Sequence, residues 1–318
     1  IKEHTITMEQ KTVFIGATGY DHYCTEGRKK LLDAGCCLIE NQLGRPYTAE
    51  ELKAIGGEIN AVICGCEVWN EETIAAAPNL KVIVKFGVGV DNIDVKYAEA
   101  NGITVKNTPK ASSQSVAELA MGHMFSCARY LSIAGHTMRE DKWEKKAYGK
   151  GIELKGKTLG IVGFGRIGQH LGVMAKAIGM DVIAFDIFHI PGIEEQLGIP
   201  YVEMDELLAK ADFISVHAPA VDGGALINAD RISKMKDGVV IINTSRGTNV
   251  DEDALLAALE SGKVRSAGLD VYAEEPAKNH ALYCHPMVSC TPHIGAATVE
   301  AQKRIGAEIV DIITNFKA

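Results

Sequence analysis

The sequence predicts an α/β protein made of two doubly wound, parallel-sheet domains, and three observations support this fold class. Short apolar segments alternate with helical segments along nearly all of the 318 residues. The 32 glycines suit the tight turns that join strands to helices. The length favours two domains over one. Because strand–helix–strand repetition produces parallel strands with helices on both faces, we expect two such sheets.

The first hundred residues contain five short apolar segments that predict buried strands. Each is rich in Val, Ile or other apolar residues, as expected for strands covered on both faces. Amphipathic stretches at 26–34 and 50–55 are predicted to be helices between them. The candidate strands are 12–17, 36–40, 60–65, 81–86 and 103–107.

The alternation changes after Pro109. Residues 112–138 form the longest helical pattern in the chain. In the next segment, 139–146, seven of eight residues are charged and the exception is Trp143. We interpret this segment as a solvated helix end and loop. The alternative interpretation makes Trp143 an anchor in a subunit interface.

A second series of strand and helix patterns follows. Asp251 is placed to begin a helix that runs to residue 260, before Ser261 and Gly262. The last segment, 297–316, is again helical. The candidate strands of this series are 158–163, 181–186, 212–217, 238–243 and 264–271.

Composition excludes several classes of protein. The net charge of −8 favours neither nucleic acid nor an anionic membrane surface as a partner. No apolar segment approaches the ~18 residues of a membrane span. No signal peptide opens the sequence, so the expected location is the cytoplasm. Residues 1–7 are polar and precede Met8, and we interpret them as a non-native extension or a disordered tail.

The eight cysteines are interpreted as free thiols, most of them buried, because none forms a C-x-x-C pair. A cluster of histidines and cysteines lies within 14 residues, but its spacing matches no tight zinc motif, and no metal site is predicted. Its members are His280, Cys284, His285, Cys290 and His293.

A glycine-rich motif predicts a dinucleotide-binding site. Gly163, Gly165 and Gly168 match G-x-G-x-x-G, between a candidate strand and a candidate helix. The first glycine allows the tight turn, the second lets a diphosphate approach, and the third lets helix and strand pack closely. The intervening Arg166 directly precedes the candidate helix, which begins at Ile167 and whose free N–H groups attract phosphate.

Asp186 ends the next candidate strand, 18 residues after Gly168. An acidic residue at this place accepts hydrogen bonds from the adenosine ribose. No Arg or Lys stands among the three residues that follow, and a carboxylate would repel a 2′-phosphate. We therefore predict NAD as the cofactor in preference to NADP.

Three residues in the second half suggest the chemistry. Arg246 follows the strand 238–243 and has the planar fork that suits a carboxylate; the alternative is a salt bridge with a neighbouring acid. His293 lies in a loop after an apolar segment, and imidazole is a base with a pKa near neutrality. Glu275, or its neighbour Glu274, could orient that ring. The alternative salt-bridge partners of Arg246 are Asp251 and Glu252.

Together these motifs resemble the D-isomer-specific 2-hydroxyacid dehydrogenases over nearly the whole chain, and most closely a short-form D-3-phosphoglycerate dehydrogenase. The resemblance implies a Rossmann nucleotide domain (110–293) inserted into a discontinuous, flavodoxin-like substrate domain (8–109 plus 294–318). It also implies a homodimer formed through the nucleotide domain. The partner expected is a small 2-hydroxy or 2-keto acid.

The resemblance assigns roles to individual residues. Arg246 would bind the substrate carboxylate, His293 would transfer the proton, and Glu275 would orient His293. The resemblance also assigns further residues to the cofactor and to the substrate, beyond those of the glycine-rich motif. The further cofactor-binding residues are His217, Thr244, Asp270 and Gly295, and the further substrate-binding residues are Lys85, Val88 and Gly89.

The favoured substrate pair is 3-phosphoglycerate and 3-phosphohydroxypyruvate, in serine biosynthesis, because Lys85 stands where such enzymes often carry a basic residue. One departure weakens this assignment: Cys64 and Gly65 occupy the end of a strand where a second basic residue is expected. Hydroxypyruvate or glyoxylate reduction is the alternative. A non-catalytic, NAD-sensing binding protein of the same fold is a further alternative.

Overall fold

The computed structural model describes residues 10–221 and 223–316, so the predicted extension 1–7 lies outside the described residues. The chain divides into two compact units. One contains the residues up to Ser112 together with those from Ala296 onward, and the other is Ser113–Gly295. These boundaries compare with 109/110 and 293/294 expected from the sequence.

The first unit is built on a five-stranded parallel sheet in the order β2-β1-β3-β4-β5. This is the strand order of flavodoxin-like folds. The strands are β1 (Thr12–Ile15), β2 (Cys37–Glu40), β3 (Ala61–Cys64), β4 (Val82–Lys85) and β5 (Thr104–Lys106). The helices between them are α1 (Tyr20–Tyr23), α2 (Thr25–Asp33), α3 (Ala49–Gly56), α4 (Glu71–Ala75) and α5 (Val95–Ala100).

The second unit contains a six-stranded parallel sheet in the order β11-β10-β9-β8-β6-β7. Its strands are β6 (Thr158–Val162), β7 (Asp181–Phe185), β8 (Phe213–Val216), β9 (Val239–Asn243), β10 (Val264–Leu269) and β11 (Val288–Cys290). Its helices are α6 (Ser113–Arg129), α7 (Leu131–Arg139), α8 (Arg166–Ala177), α9 (Ile193–Leu197), α10 (Met204–Lys210), α11 (Ala229–Lys234), α12 (Glu252–Ser261) and α13 (His280–Tyr283), with a 3₁₀ turn at Gly247–Asn249. The chain therefore contains two parallel sheets with helices between their strands, as predicted.

A single residue, Tyr201, completes the second sheet beside its edge strand β7. It forms a parallel bridge with Ala184, whose N–H donates to Pro200 O at 3.0 Å. With β6 counted as the first strand and Tyr201 as the third, the order is 3-2-1-4-5-6, which is that of dinucleotide-binding sheets, with β11 added at the far edge. The strand order reverses at β6, which lies between β7 and β8.

The last helix, α14 (Val299–Asn315), belongs to the first unit. Its buried face packs into the core beside β1 and β4, which contribute Val13 and Val84. Lys11, just before β1, donates hydrogen bonds from Nζ to Ile313 O, Thr314 O and Phe316 O at 3.2, 3.1 and 2.6 Å. These bonds satisfy carbonyls that the end of a helix leaves without partners.

The long helical pattern at 112–138 is two helices and not one. Tyr130 separates α6 from α7 and has a left-handed backbone (φ 59°). Its hydroxyl donates to Lys150 O at 3.2 Å and accepts from Arg265 Nη2 at 2.7 Å. Tertiary contacts therefore interrupt a pattern that is continuous in sequence. Residues 140–150 contain no helix or strand, and Trp143 is 79 % exposed.

The expectation that most cysteines are buried is wrong. Half are buried (Cys24, Cys36, Cys64 and Cys127) and half are exposed (Cys37, Cys66, Cys284 and Cys290). The exposed ones lie outside the strands or on the edge strands β2 and β11, each of which has a neighbouring strand on one side only. Across residues 10–221 and 223–316, no three His, Cys, Asp or Glu side chains form a group that could hold a metal ion. Over the same residues, every helix is too short or too polar to cross a membrane.

Candidate active site

The glycine turn lies between the ends of β6 and β8. Gly163 has a positive φ of 95°, which side chains other than hydrogen rarely allow. A Cβ on this residue would lie 2.5 Å from Ala218 N and 2.7 Å from His217 C. Glycine is therefore required for two reasons, its backbone angle and the close approach of the loop after β8.

The start of α8 is open. A Cβ on Gly165, the residue before the helix, would meet nothing within 4 Å, and no side chain of the described residues caps this end. A Cβ on Gly168 would instead lie 2.5 Å from Gly163 O, so this glycine lets the helix pack against the turn. Arg166 is exposed and Ile167 is half-buried. The first N–H groups of α8 are thus available to an anion.

Asp186 follows β7 and holds the glycine turn. Its Oδ2 accepts a hydrogen bond from Phe164 N at 2.7 Å, and its Oδ1 accepts one from Phe188 N at 3.0 Å. Ile187 is 95 % exposed. A carboxylate is therefore fixed beside the turn, with uncharged residues after it.

Two predicted cofactor residues have buried polar atoms that lack a partner among the described residues, namely His217 Nδ1 and Thr244 Oγ1. His217 Nε2 is 2.8 Å from Ser215 Oγ. Desolvation of the ring lowers the pKa of His217 to about 3, so the imidazole is neutral. Buried polar atoms without partners are unusual, and a ligand is one way to satisfy them.

Arg246 follows β9 and is half-buried. Asn243 Nδ2 donates to Arg246 O at 2.8 Å, and Arg246 Nη1 donates to Ser245 O at 2.7 Å. Asp251 and Glu252, the alternative salt-bridge partners, each accept a backbone N–H, at 3.0 Å from Ala254 and 2.7 Å from Ala273 respectively. The local hydrogen bonds fix the backbone from which the guanidinium extends.

Gly247 brings the Arg246 turn against the segment that contains Glu275. A Cβ on Gly247 would lie 1.8 Å from the carbonyl carbon of Tyr272 and 2.4 Å from Ala273 N. Only hydrogen fits there. The N–H of Tyr272 also donates to Glu275 Oε1 at 3.2 Å, which orients that carboxylate.

His293 and Glu275 are paired. The distance from His293 Nδ1 to Glu275 Oε2 is 2.7 Å, and the two side chains are 54 % and 38 % exposed. A carboxylate only accepts, so Nδ1 carries the hydrogen and Nε2 is left to exchange a proton. Glu274 lies 3.8 Å from Lys278 Nζ instead. Glu275 is therefore the partner of the imidazole.

Burial and the neighbouring charges shift the pKa of both members of this pair. The hydrogen bond with Glu275 raises the pKa of His293, burial opposes it, the charges of Glu275 and Asp270 add to it, and the Arg246 charge lowers it. Burial alone would raise the pKa of Glu275. The pKa is nevertheless below its usual value, because His293 lowers it through its hydrogen bond and charge, and Tyr272 N–H and the Arg246 charge lower it further. Arg246 is thus close enough for its charge to act on both groups.

Asp270, predicted to contact the cofactor, binds the His293 loop in the structure. It is 1 % exposed. Its Oδ1 accepts from Thr291 Oγ1 at 2.6 Å and Ile294 N at 2.8 Å, and its Oδ2 accepts from Gly295 N at 2.8 Å. These bonds could not be predicted from the sequence, because the donors are mostly backbone groups.

In the first unit, Lys85 ends β4 and its ammonium has partners within the unit. Nζ donates to Gly65 O and, at 2.8 Å, to Asn92 Oδ1. Val88 is 37 % exposed and Gly89 is half-buried. Lys85 therefore ties the end of β4 to the loop after β3.

The sequence analysis missed Glu67, which lies in that loop at only 1 % exposure. Its oxygens accept from Gly65 N at 3.0 and 3.1 Å, and a Cβ on Gly16 would lie 2.0 Å from Oε1. The pKa of Glu67 is raised, because burial outweighs the hydrogen bonds and the Lys85 charge that lower it. A carboxyl group thus stands near the strand end where a basic residue was expected. Its position, three residues past a strand end, was the available signal.

A parallel sheet with a glycine turn at its switch point and an open helix N-terminus defines a dinucleotide-binding protein. Residues 121–295 match the family model described as "D-isomer specific 2-hydroxyacid dehydrogenase, NAD binding domain". The chain belongs to that family, and it is an NAD-dependent oxidoreductase acting on 2-hydroxy or 2-keto acids. The predictions of fold class, family and cofactor are confirmed.

Two kinds of relative are similar to the chain. It is 47 % identical over 270 residues to a hydroxypyruvate reductase of Thermotoga maritima, covering 83 % of this chain and 87 % of that protein. It is 43 % identical over 278 residues to a D-3-phosphoglycerate dehydrogenase of Methanocaldococcus jannaschii, covering 86 % of this chain and 53 % of that protein. The chain spans about half the length of the phosphoglycerate dehydrogenases it matches.

Solved structures of the same kind are also similar. A glyoxylate reductase from Paecilomyes thermophila is 32 % identical with a TM-score of 0.84, covering 96 % of this chain and 95 % of that one. A D-lactate dehydrogenase from Aquifex aeolicus, complexed with NAD and lactic acid, is 29 % identical with a TM-score of 0.84, covering 95 % and 94 %.

Proposed function

We propose that the chain reduces short, unphosphorylated 2-keto acids, with hydroxypyruvate as the preferred substrate. The observation that carries the chemistry is the 2.7 Å pair of His293 and Glu275, with the Arg246 charge acting on both. The first unit, expected to bind substrate, supplies the argument about which acid is preferred.

In this proposal Arg246, Glu275 and His293 have separate roles. The fork of Arg246 binds the substrate carboxylate through two parallel hydrogen bonds. Glu275 keeps the hydrogen on His293 Nδ1, so Nε2 donates a proton to the keto oxygen in reduction and removes it in oxidation. NAD, when bound, supplies or accepts the hydride at C2.

The second unit would hold the cofactor with residues that fit its parts. The diphosphate would lie on the glycine turn and the open start of α8, and Asp186 would accept from the adenosine ribose. The unpartnered atoms of His217 and Thr244 and the loop residues Asp270 and Gly295 would face the rest of the cofactor. The residues proposed at the diphosphate are Gly163, Gly165, Arg166, Ile167 and Gly168.

Replacing Asp186 with Ala should weaken NADH binding and narrow the preference for NADH over NADPH. The change removes an acceptor for the ribose and a charge that repels a 2′-phosphate, and it frees the N–H of Phe164. Titration of both nucleotides by fluorescence gives the two Kd values. Equal kcat/KM for NADH and NADPH in the unmodified protein would contradict the assignment.

The environment of Lys85 supports an unphosphorylated substrate. Its ammonium already donates to Gly65 O and Asn92 Oδ1, and the carboxyl group of Glu67 is close enough for the Lys85 charge to act on it. Two of the three Nζ donors are therefore already used within the unit, and a carboxylate beside them would repel a phosphate. The assignment of Lys85, Val88 and Gly89 to the substrate stays a prediction. The comparison of substrates below, together with Lys85→Met, tests it for Lys85.

The decisive measurement is kcat/KM with NADH for hydroxypyruvate, glyoxylate and 3-phosphohydroxypyruvate. We expect hydroxypyruvate to be preferred over its phosphate ester. Glu67→Gln should then improve use of the phosphate ester by about 10-fold, equivalent to about 1.4 kcal/mol. Glu71→Gln makes the same substitution at an exposed site on α4 and should leave the ratio unchanged.

A second candidate is oxidation of 3-phosphoglycerate in serine biosynthesis, which is favoured by the similarity to D-3-phosphoglycerate dehydrogenases. It predicts the opposite preference, together with a loss confined to the phosphate ester in Lys85→Met. No turnover with any 2-keto acid would instead favour the NAD-sensing binding protein.

Replacing Glu275 with Gln should move the pH profile of reduction to lower pH. Glu275 raises the pKa of His293 through their hydrogen bond, so the pKa falls when the charge is removed. Reduction needs protonated His293 and is lost as pH rises through that pKa, so its alkaline limb moves to lower pH. Oxidation needs neutral His293, so its acid limb moves the same way. Profiles of kcat/KM from about pH 5 to about pH 10 measure both limbs.

The matched control is Glu274→Gln, because Glu274 lies beside Lys278 and not His293. It should leave both limbs in place. A limb that stays put or moves to higher pH in Glu275→Gln would show that Glu275 does not raise the pKa of the catalytic group.

We also propose that the protein forms a homodimer through the second unit. The homodimer and the cytoplasmic location both stay predictions. Large apolar side chains of α6, α7 and the following loop are exposed on this unit, as expected at an interface. They are Phe125 at 39 %, Leu131 at 57 %, Met138 at 52 % and Trp143 at 79 %.

A further inference from the structure

A buried histidine that the proposed chemistry does not use, His123, lies next to the loop of His293. It is on α6 and only 3 % exposed. Gly268 on β10 makes room for it, since a Cβ there would lie 2.6 Å from His123 Cβ. The ring reaches two hydroxyl groups, with Nδ1 3.0 Å from Ser289 Oγ and Nε2 3.0 Å from Thr291 Oγ1.

The direction of these hydrogen bonds follows from Asp270. Thr291 Oγ1 has one hydrogen and lies 2.6 Å from Asp270 Oδ1, so it donates that hydrogen to the carboxylate. It must then accept from His123, which places the imidazole hydrogen on Nε2. Burial lowers the pKa of His123 against the opposing charge of Asp270, which favours the neutral ring, and in that ring Nδ1 accepts from Ser289 Oγ.

Asp270, at the end of this series of hydrogen bonds, fixes the chain on both sides of His293. Asp270 accepts from Thr291, two residues before His293, and from Ile294 N and Gly295 N, directly after it, both at 2.8 Å. His293 itself has a left-handed backbone with φ of 54°. A residue with a side chain keeps such a conformation only where its surroundings determine it.

We propose that His123 is a positioning residue, which directs the Thr291 hydroxyl onto Asp270 and so holds the 291–295 loop that presents His293. The inference rests on the proposed role of His293 in proton transfer. Without the N–H of His123, the Thr291 hydroxyl loses the donor that orients it, and Asp270 holds the loop with one contact weakened. The imidazole of His293 then samples positions from which proton transfer is slower.

The test compares His123→Leu, His123→Gln and Thr291→Val. Leu fills the buried site without polar atoms, and we expect kcat to fall by about 10- to 100-fold, with a larger solvent isotope effect on kcat because proton transfer becomes slower. Gln keeps an N–H donor near the position of Nε2 and should recover most of the loss. Thr291→Val should lower kcat as His123→Leu does, and combining the two should add little because both break one chain of bonds.

Met124→Leu is the matched control, because Met124 is the buried neighbour of His123 on α6 and its side chain packs in the apolar core. It should keep the kcat and isotope effect of the unmodified protein. If His123→Leu folds and keeps both values, or if Gln recovers nothing, the inference is wrong. His293→Ala separates the two levels: retained turnover there overturns the proposed function, whereas lost turnover beside a fully active His123→Leu overturns only the role of His123.

Discussion

His293→Ala should lower kcat by about 10²- to 10⁴-fold, the range that removal of a general acid or base produces. His293 is the group whose pKa is raised by a carboxylate at 2.7 Å, and its Nε2 is left to exchange a proton. Its side chain is 54 % exposed, so truncation leaves no large buried cavity and the protein should fold. Steady-state kinetics with NADH and hydroxypyruvate, with melting temperature as the check on folding, measure the effect.

Binding and chemistry should separate in this variant. The residues proposed to hold the diphosphate and ribose lie at β6, β7 and α8, so the Kd for NADH should change little. His285→Ala is a suitable control, because His285 lies in the same part of the chain and its Nδ1 accepts from its own loop, from Met287 N at 3.2 Å. Turnover by folded His293→Ala equal to that of the His285 variant would rule out His293 as the proton-transfer group.

Much of the fold could be predicted because its signals are local. Each parallel strand is a short apolar segment, and the glycine turn carries its steric requirements at Gly163 and Gly168. Local patterns could not show that Tyr130 breaks a helix or that the lone Tyr201 completes a sheet. Both depend on partners far along the chain, such as Arg265 for Tyr130 and Ala184 for Tyr201.

The candidate site divides in the same way. The pairing of His293 with Glu275 could be predicted because both stand in motifs that resemble those of the family, whereas the residues alone left Glu274 as an alternative. The sequence could not indicate Glu67 or His123, since an acid in a loop and a histidine in a helix are usually exposed. Their burial depends on glycines, at 16 and 268, that leave room for them. A glycine that makes space for a distant side chain has no signature of its own in one sequence.

Gly247→Ala should lower kcat/KM by about 100-fold, although it adds only a methyl group and touches no reacting atom. The added Cβ would lie 1.8 Å from the carbonyl carbon of Tyr272 and 1.9 Å from its oxygen, so the backbone of one segment must move. Arg246 directly precedes the glycine, and Tyr272 N–H orients Glu275. A movement of either segment therefore displaces Arg246 relative to Glu275 and His293. Forcing an atom into a packed site should also reduce the free energy of unfolding by about 1 to 3 kcal/mol.

Gly122→Ala provides the comparison that isolates this steric effect. Gly122 lies within α6, and a Cβ there would meet nothing within 4 Å. Because glycine weakens a helix interior, this variant should gain about 0.5 to 1 kcal/mol of stability with unchanged kcat/KM. The same chemical change should thus have opposite effects at the two glycines. If Gly247→Ala retained the kcat/KM of Gly122→Ala, the close approach of the Arg246 turn to Tyr272 would not be what holds Arg246 and Glu275 in register.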